Sequence, residues 1–298
     1  MISERSWFSV YIYCNPPFER ILADCIHPLV SDLTESNIAN SFFFIRYGVG
    51  GPHIRLRINF RSSTIQQDHE NSVKEALREF MNKNSLVTRE SHSAYLEEVS
   101  YEPEYDRYGG EKAIEIAEEL FYYSSMQTLN IIKFEKNWNY SRALYTAIIL
   151  NFTLIKKLID DPIEITEFYL LSFNNWFPHA CYDYTSKSID MRRSQQVQKK
   201  FWHLFRKHEN WLLPLISKLN NEIHFDKEID HWNRQIGKIK HKINNLQVHK
   251  LLKNNREIYS IFDSYCHMTN NRLGVKNPDE SLISFLVLQS MKKINEKQ

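Results

Sequence analysis

The sequence predicts an α+β fold: a ferredoxin-like antiparallel sheet unit of β-α-β-β-α-β order, packed with a larger, mainly helical C-terminal part. Three observations carry that prediction. Segments with alternating polarity, rich in aromatic and β-branched residues, fill the first hundred positions. From Gly109 onward, apolar residues recur at helical spacing instead. Of seven glycines, five fall in "YGVGG" and "RYGG", so backbone freedom is concentrated at two turns. The strand and helix order is that of the split βαβ unit. The expected subdomains are 1–108 and 109–298, together one compact body.

The elements follow in order. "WFSVYIYC" (7–14) alternates as a strand does. "PPFERILADCIHPLVSDLTE" (16–35) carries Pro early and spaces Ile21, Leu22, Cys25, Ile26 and Leu29 as a helix, with Pro28 predicting a kink or an early end. "SFFFIRYG" and "PHIRLRINF" form a hairpin across "VGG". "TIQQDHENSVKEALREFMNK" (64–83) reads as a mostly polar, solvent-facing helix, and "HSAYLEEVSYEPE" (92–104) as a fourth strand closed by Pro103. "GGEKAIEIAEELFYYSS" (109–125) opens the helical part. It sets Glu115, Glu118 and Glu119 on one side and Ile114, Ala117, Leu120 and Phe121 on another. Further helices are predicted at 141–159, 164–175, 191–208, 208–221, 228–253, 256–274 and 279–295, with Gly274 and Pro278 punctuating the last pair.

Hydrophobic residues make up 42% of the 298 and charged residues 25%, as in a soluble globular protein. No apolar run approaches the roughly eighteen residues of a membrane span. The start, "MISERSWFSV", has no apolar signal segment, so a cytoplasmic location is expected. Cys14, Cys25, Cys181 and Cys266 are scattered with no CxxC pair, which argues against a zinc site or disulfide framework and for small buried side chains. The net charge of +2 is unevenly placed: Glu90–Glu119 holds ten acids against two bases, and Arg192–Glu257 fifteen bases against six acids. Two solvated helical surfaces would account for this. A basic part would also suit an acidic peptide or nucleic acid.

Three groups of residues could carry chemistry. On a strand, His53, Arg55 and Arg57 point one way and Ile54, Leu56 and Ile58 the other. With helices covering the apolar face, the cationic row lies on the open face, and Arg46 on the neighbouring strand is expected to join it. Guanidiniums so close repel one another unless something negative lies among them, and their planar forks suit carboxylate or phosphate. Glu97, Glu98 or Glu102 could neutralise them in an ordinary salt-bridge network. Single-stranded nucleic acid is the weaker option, because the open row of this strand carries charge rather than stacking rings. In "YEPEYDRYGG", Tyr101, Tyr105 and Tyr108 surround Arg107 before a Gly-Gly turn, from which an arginine can fold back over the open face. In "CHMTNNRLG", His267 and Asn271 share a helix face and Arg272 lies beside it. A lone helical histidine is more often structural, yet it can carry a proton near working pH.

Taken together, "WFSVYIYC", "FFFIRYGVGGPHIRLRI", "YEPEYDRYGGEKAIEIAEELF" and "HMTNNRLG", in that order from residue 7 to about 275, resemble a known family. It is the C-terminal domain of lantibiotic dehydratases, also found free-standing in thiopeptide-type bacteriocin pathways. Positions 125–255 match only as helical filler. The resemblance implies a lyase that eliminates glutamate from glutamylated Ser or Thr of a ribosomal precursor peptide, leaving dehydroalanine or dehydrobutyrine. It places the family's essential residues on Arg55, Arg57, Arg107 and His267, all present here. The arginines would hold the glutamyl carboxylates and the peptide carbonyl, and His267 would transfer the proton. Arg46, His53, Tyr108 and Asn271 are the accompanying candidates for substrate contact.

No nucleotide-binding loop or metal-ligand cluster is visible in the sequence, so neither cofactor nor metal is expected. The expected partners are the precursor peptide and a separately encoded tRNA-dependent glutamylating dehydratase, with no membrane and no direct nucleic acid. The same family hosts pyridine synthases, which join two dehydroalanines by a formal [4+2] cycloaddition; retention of the Arg/His set favours elimination. A non-catalytic module that binds leader peptide is the remaining alternative.

Overall fold

The computed structural model describes residues 7–62, 66–84, 95–183, 188–189, 191–221, 227–248 and 255–296. The chain divides into a unit of Met1–Asp106 with Ile114–Trp138, and a second of Arg107–Ala113 with Asn139–Gln298. The expected boundary at 108/109 therefore differs from the observed one, since most of the first long helix belongs with the sheet.

In the first unit, β1 (Trp7–Tyr13), β2 (Ala39–Tyr47), β3 (His53–Phe60) and β4 (Tyr95–Glu98) form an antiparallel sheet in the order β2-β3-β1-β4. Alternation decides its faces. Val10 and Ile12, Phe42 and Phe44, and Ile54, Leu56 and Ile58 all enter one core with Ile21, Leu22, Ile26, Val30 and Leu77. Each such side chain contributes about 1.5–3 kcal/mol on burial. A one-residue slip of β3 would put Arg55 and Arg57 into that core, so the register is strongly fixed.

After β1 the chain enters α1 (Glu19–Ile21), a π-turn (Leu22–Ile26) and α2 (His27–Glu35). Pro28 does not end the helix, because the wide turn absorbs it: the His27 N–H reaches back five residues to the Leu22 carbonyl. α3 (Gln66–Lys83) buries Val73, Leu77 and Met81 along one stripe, so it is amphipathic rather than wholly solvent-facing. Lys74 on the same helix is buried with its ammonium 2.8 Å from Glu98. Of the expected fourth strand, Tyr95–Glu98 pairs and the chain leaves the sheet well before Pro103. Positions 64–65 and 92–94 of these expected elements lie outside the described residues.

α4 (Glu111–Phe134) covers the β2 edge with its portion beyond Ile114. The Phe44 N–H donates to Ser125 Oγ at 3.2 Å, Tyr122 meets Phe42 edge-on, and Leu129 and Ile132 enter the core. One otherwise open amide of this edge strand is thereby satisfied. Glu118 is buried, so the expected acidic stripe is not entirely solvated.

The second unit holds α5 (Tyr140–Leu158), α6 (Pro162–Cys181), a short pair β5 (Tyr182–Asp183) and β6 (Ser188–Ile189), then α7 (Met191–Asn220), α8 (Lys227–Val248), α9 (Asn255–Leu273) and α10 (Asn277–Asn295). Asn139 and Asp161 cap α5 and α6 through their side chains, and Pro162 occupies the first turn of α6. The two helices expected at 191–208 and 208–221 are one. Phe201, Phe205, Leu212, Leu215, Ile216 and Leu219 continue a single apolar stripe through Pro214, whose missing hydrogen bond the packing outweighs. Positions 249–253 of the expected helix 228–253 lie outside the described residues. Among the described residues, no helix is long and apolar enough to cross a membrane. All four cysteines are buried and free, and burial pushes the Cys14 thiol up to about 12 and that of Cys25 up to about 11, far from thiolate chemistry.

Candidate functional site

The open face of the sheet carries the first cluster. Register places Tyr13 and Tyr47 beside His53, Tyr11 and Ile45 beside Arg55, and Ser9 and Phe43 beside Arg57. The cationic row therefore runs between two rows rich in aromatic rings. The Arg55 guanidinium lies 3.6 Å from the centroid of Tyr47 and 4.5 Å from that of Tyr11. Its Nε donates to His53 Nε2 at 3.1 Å, while His53 Nδ1 lies 2.8 Å from the Gly51 carbonyl. An accepting Nε2 and a donating Nδ1 define a neutral imidazole with its proton on Nδ1. Burial holds the His53 pKa below its ordinary value despite the Gly51 bond, and the neighbouring Arg55 charge acts in the same direction as burial. Gly51 takes φ 107°, a turn conformation that glycine adopts freely.

Arg57 is more deeply placed, only 9% exposed. Its guanidinium sits 4.5 Å from the Tyr101 ring and 5.3 Å from Phe43, and Trp7 packs edge-on against both of those rings. Burial lowers its pKa, with Tyr101 and Tyr11 acting the other way. No ion pair joins Arg55 or Arg57 to a carboxylate among the described residues. Nor do Arg57 Nε, Ser9 Oγ or Trp7 Nε1, all buried, have a hydrogen-bond partner there. Among the described residues, the acids that could have neutralised the row form no ion pair with it, although Glu97 stands on the same face beside Tyr11. Glu98 holds Lys74, Glu97 takes the Tyr13 hydroxyl, and Glu102 is exposed. Burial and that Glu97 bond push Tyr13 up to about 12.

Arg46 does not join the row. It stands opposite Ile54, on the face shared with Phe42 and Phe44, where its guanidinium meets Glu19 at 2.7 Å. Residues two apart on a strand share a face, so Arg46 follows the phenylalanines inward.

The second cluster is built on α9. Arg107 Nε donates to Ser264 Oγ at 3.1 Å, and Ser264 Oγ donates to the Ser260 carbonyl at 3.0 Å. Ser264, His267 and Asn271 lie three and four apart on one helix face, which brings Arg107 to the turn before His267. Gly109 and Gly110, with φ of 86° and 98°, let the chain turn sharply after Arg107 into α4. Tyr108 is buried and stacks on Tyr265, so its ring anchors the Arg107 turn rather than facing solvent. Asn271 is half-buried, and Arg272 is fully buried with Nη1 on the Met268 carbonyl at 2.7 Å.

His267 is held from two directions. Its Nδ1 lies 2.7 Å from Glu280 Oε1, and its ring stacks on Trp176 at 4.5 Å with 18° between planes. Glu280, on the first turn of α10, is 2% exposed, and its Oε2 accepts from Asn270 Nδ2 at 3.0 Å. Burial raises the Glu280 pKa, and the bonds from His267 and Asn270 oppose that rise. Asp263 accepts from Trp176 Nε1, from Asn175 and from Ser172. Sequence reasoning missed Glu280, Trp176, Asp263 and Ser264, as it missed the ring partners Tyr11, Tyr47, Phe43 and Tyr101. The period-two alternation of β1 and β2 could have signalled Tyr11, Tyr47 and Phe43, whereas Tyr101 follows β4 and has no such signal. Among the described residues, no three His, Cys, Asp or Glu side chains are placed to hold a metal ion.

Comparison with known proteins supplies the context. Residues 7–291 match the family described as lantibiotic biosynthesis dehydratase C-term. The nisin biosynthesis protein NisB of Lactococcus lactis subsp. lactis is 26% identical over 287 residues, covering 95% of this chain and 25% of NisB. The chain spans about a quarter of the length of the curated relatives it matches. Among solved structures, the pyridine synthase TbtD from thiomuracin biosynthesis superposes with a TM-score of 0.74 at 9% identity, over 98% of this chain and 99% of TbtD. The tRNA-dependent lantibiotic dehydratase MibB from Microbispora sp. 107891 gives 0.64 at 18% identity, over all of this chain and 29% of MibB. At these identities the two structures establish a shared fold.

Proposed function

Because the chain belongs to the lantibiotic biosynthesis dehydratase C-terminal family, we propose that it is a lyase that eliminates glutamate from glutamylated Ser or Thr of a precursor peptide. One observation carries this reading. Arg57 is a buried guanidinium held by aromatic rings, without a carboxylate among the described residues. An uncompensated buried charge costs several kcal/mol. A site that binds an anion during its work recovers that cost, and the departing glutamate is such an anion.

The chemistry assigns four residues. His267 takes the α-proton of the esterified residue at Nε2, which has no hydrogen-bond partner among the described residues. The electron pair left on Cα forms the Cα–Cβ double bond as the Cβ–O bond breaks, and its electrons leave on the glutamate carboxylate. Charge builds meanwhile on the peptide carbonyl and on the leaving oxygen, where fixed guanidiniums stabilise it. Arg55, Arg57 and Arg107 supply these. The carboxylate is a good leaving group, since its acid has a pKa of about 4 or below. The proton on His267 then returns to solvent or product. His53, neutral and bonded to Arg55, positions that guanidinium, and Asn271, one turn beyond His267 on the same helix face, is assigned to substrate contact. We assign Arg46 and Tyr108 to structure rather than substrate. The order β2-β3-β1-β4 supports a ferredoxin-like reading of the first unit. The partners this reading requires are a precursor peptide and a separate glutamylating enzyme.

A glutamylated precursor peptide incubated with wild type and with Arg57→Ala, followed by mass spectrometry, tests the proposal. The variant should dehydrate the peptide at least about 100-fold more slowly, the usual loss on removing one donor to developing charge. Equal rates would sink it. An already dehydrated peptide that cyclises with wild type, while the glutamyl ester persists, would move the chain to cycloaddition. A leader-binding module would tolerate alanine at all four positions.

A further inference from the structure

We infer that Glu280 is a positioning residue that fixes the proton of His267 on Nδ1 and thereby presents a bare Nε2 as the base. This rests on the lyase reading and adds to it a residue that neither the motifs nor the family match singles out.

The geometry leaves little freedom to the ring. Glu280 Oε1 stands 2.7 Å from Nδ1, and Oε2 is already engaged by the Asn270 amide. Asn270 is itself oriented, because its Oδ1 accepts from Asn151 Nδ2 at 2.8 Å. Its Nδ2 must therefore face Glu280, and the carboxylate acts as an acceptor at both oxygens. An acceptor beside Nδ1 requires a proton on Nδ1. Residues of α5, α9 and α10 thus form one oriented chain, Asn151–Asn270–Glu280–His267. Trp176 closes the face of the ring, and Asp263 fixes Trp176 through its indole N–H, 3.2 Å from each carboxylate oxygen.

A purely structural histidine explains less. A backbone carbonyl would satisfy Nδ1 without the desolvation of a carboxylate that is 2% exposed. A buried carboxylate on Nδ1 gives two things a carbonyl does not. It sets the tautomer, and it balances the imidazolium that forms when Nε2 takes the α-proton. The balance is complete within the side chains. The Cα–H bond breaks, an N–H bond forms at Nε2, the Nδ1 proton stays in place, and Glu280 remains a carboxylate throughout.

The test uses the full chain and a synthetic peptide with one O-glutamyl serine. Glu280→Gln keeps the size of the side chain while removing its charge, and His267→Ala is the reference for loss of the base. For Glu280→Gln, kcat should fall about 100-fold or more with KM changed less than about 3-fold, the pattern of an interaction made in the transition state. The 15N spectrum of the neutral His267 ring should show the Nδ1–H form in wild type and a shift toward Nε2–H in the variant. A kcat within about 3-fold of wild type for Glu280→Gln, while His267→Ala is inactive, would overturn the assignment. So would an Nε2–H ring in wild type. If wild type leaves the ester intact, the lyase reading falls by itself, and the spectrum still decides which ring nitrogen of His267 carries the proton.

Discussion

Replacing Arg57 with methionine should stabilise the protein while abolishing elimination. Two opposing terms set the size of the effect. Desolvating a guanidinium that is 9% exposed costs several kcal/mol even after local relaxation. Against it stand two ring contacts, with Tyr101 at 4.5 Å and Phe43 at 5.3 Å, each worth about 0.5–2 kcal/mol. A hydrogen bond with Tyr11 adds about 1 kcal/mol. Methionine has a similar length, retains contact with both rings and has no charge to desolvate. The expected gain is about 1–2 kcal/mol, a rise in Tm of about 2–6 °C for a chain of this size. Calorimetry on purified wild type and Arg57→Met measures it, and mass spectrometry of a glutamylated peptide measures the loss of activity. A fall in Tm of more than about 2 °C would refute the reasoning, because Arg57 would then be making net favourable bonds within the chain.

Acidification should destabilise the first unit through His53. Its folded pKa is depressed by burial and by Arg55, so as pH falls below about 6.5 the unfolded chain takes up a proton that the folded chain refuses. Stability is then lost with falling pH in that range, and urea titrations from pH 8 to pH 5 should show a shallower decline in His53→Gln. Arg46→Ala should cost about 2–3 kcal/mol by stranding Glu19 and opening space beside Phe18. Elimination per folded molecule should be unchanged in Arg46→Ala, and a specific loss of kcat would return Arg46 to the site.

The sequence disclosed most where a period could be read within one element. The alternation of β3 separated its arginines from Ile54, Leu56 and Ile58, and the helical period located nearly every helix of the second unit. It misled where the answer depended on pairing between elements. Arg46 looked like a neighbour of Arg55 because both flank the glycine turn. The register across that turn sets Arg46 opposite Ile54 instead, and a turn of irregular glycines conceals that parity. Pro214 suggested a helix boundary that the continuous apolar stripe of α7 overrides. Glu280 could not have been found at all. It lies thirteen residues beyond His267 across a helix break, and an acid on the first turn of a helix is ordinary there.

The two clusters treat charge in opposite ways, and the proposed reaction accounts for both. No carboxylate among the described residues pairs with Arg55 or Arg57: Glu98 lies on the opposite face with Lys74, and Glu97, beside Tyr11 on the same face, takes the Tyr13 hydroxyl. Had Glu97 paired with an arginine of the row, the fold would gain stability, but the paired guanidinium would be occupied when glutamate arrived. The leaving group is itself a carboxylate, so an internal glutamate is its most effective competitor. Aromatic rings are the alternative support, since they hold a cation in place without placing a competing negative charge on its fork, and Arg57 Nε keeps no partner among the described residues. The histidine has the reverse requirement. Its charge appears only after proton transfer and must be met at once, so a buried carboxylate stays bonded to it at 2.7 Å. A binding module for an acidic segment would share the first arrangement and has no use for the second.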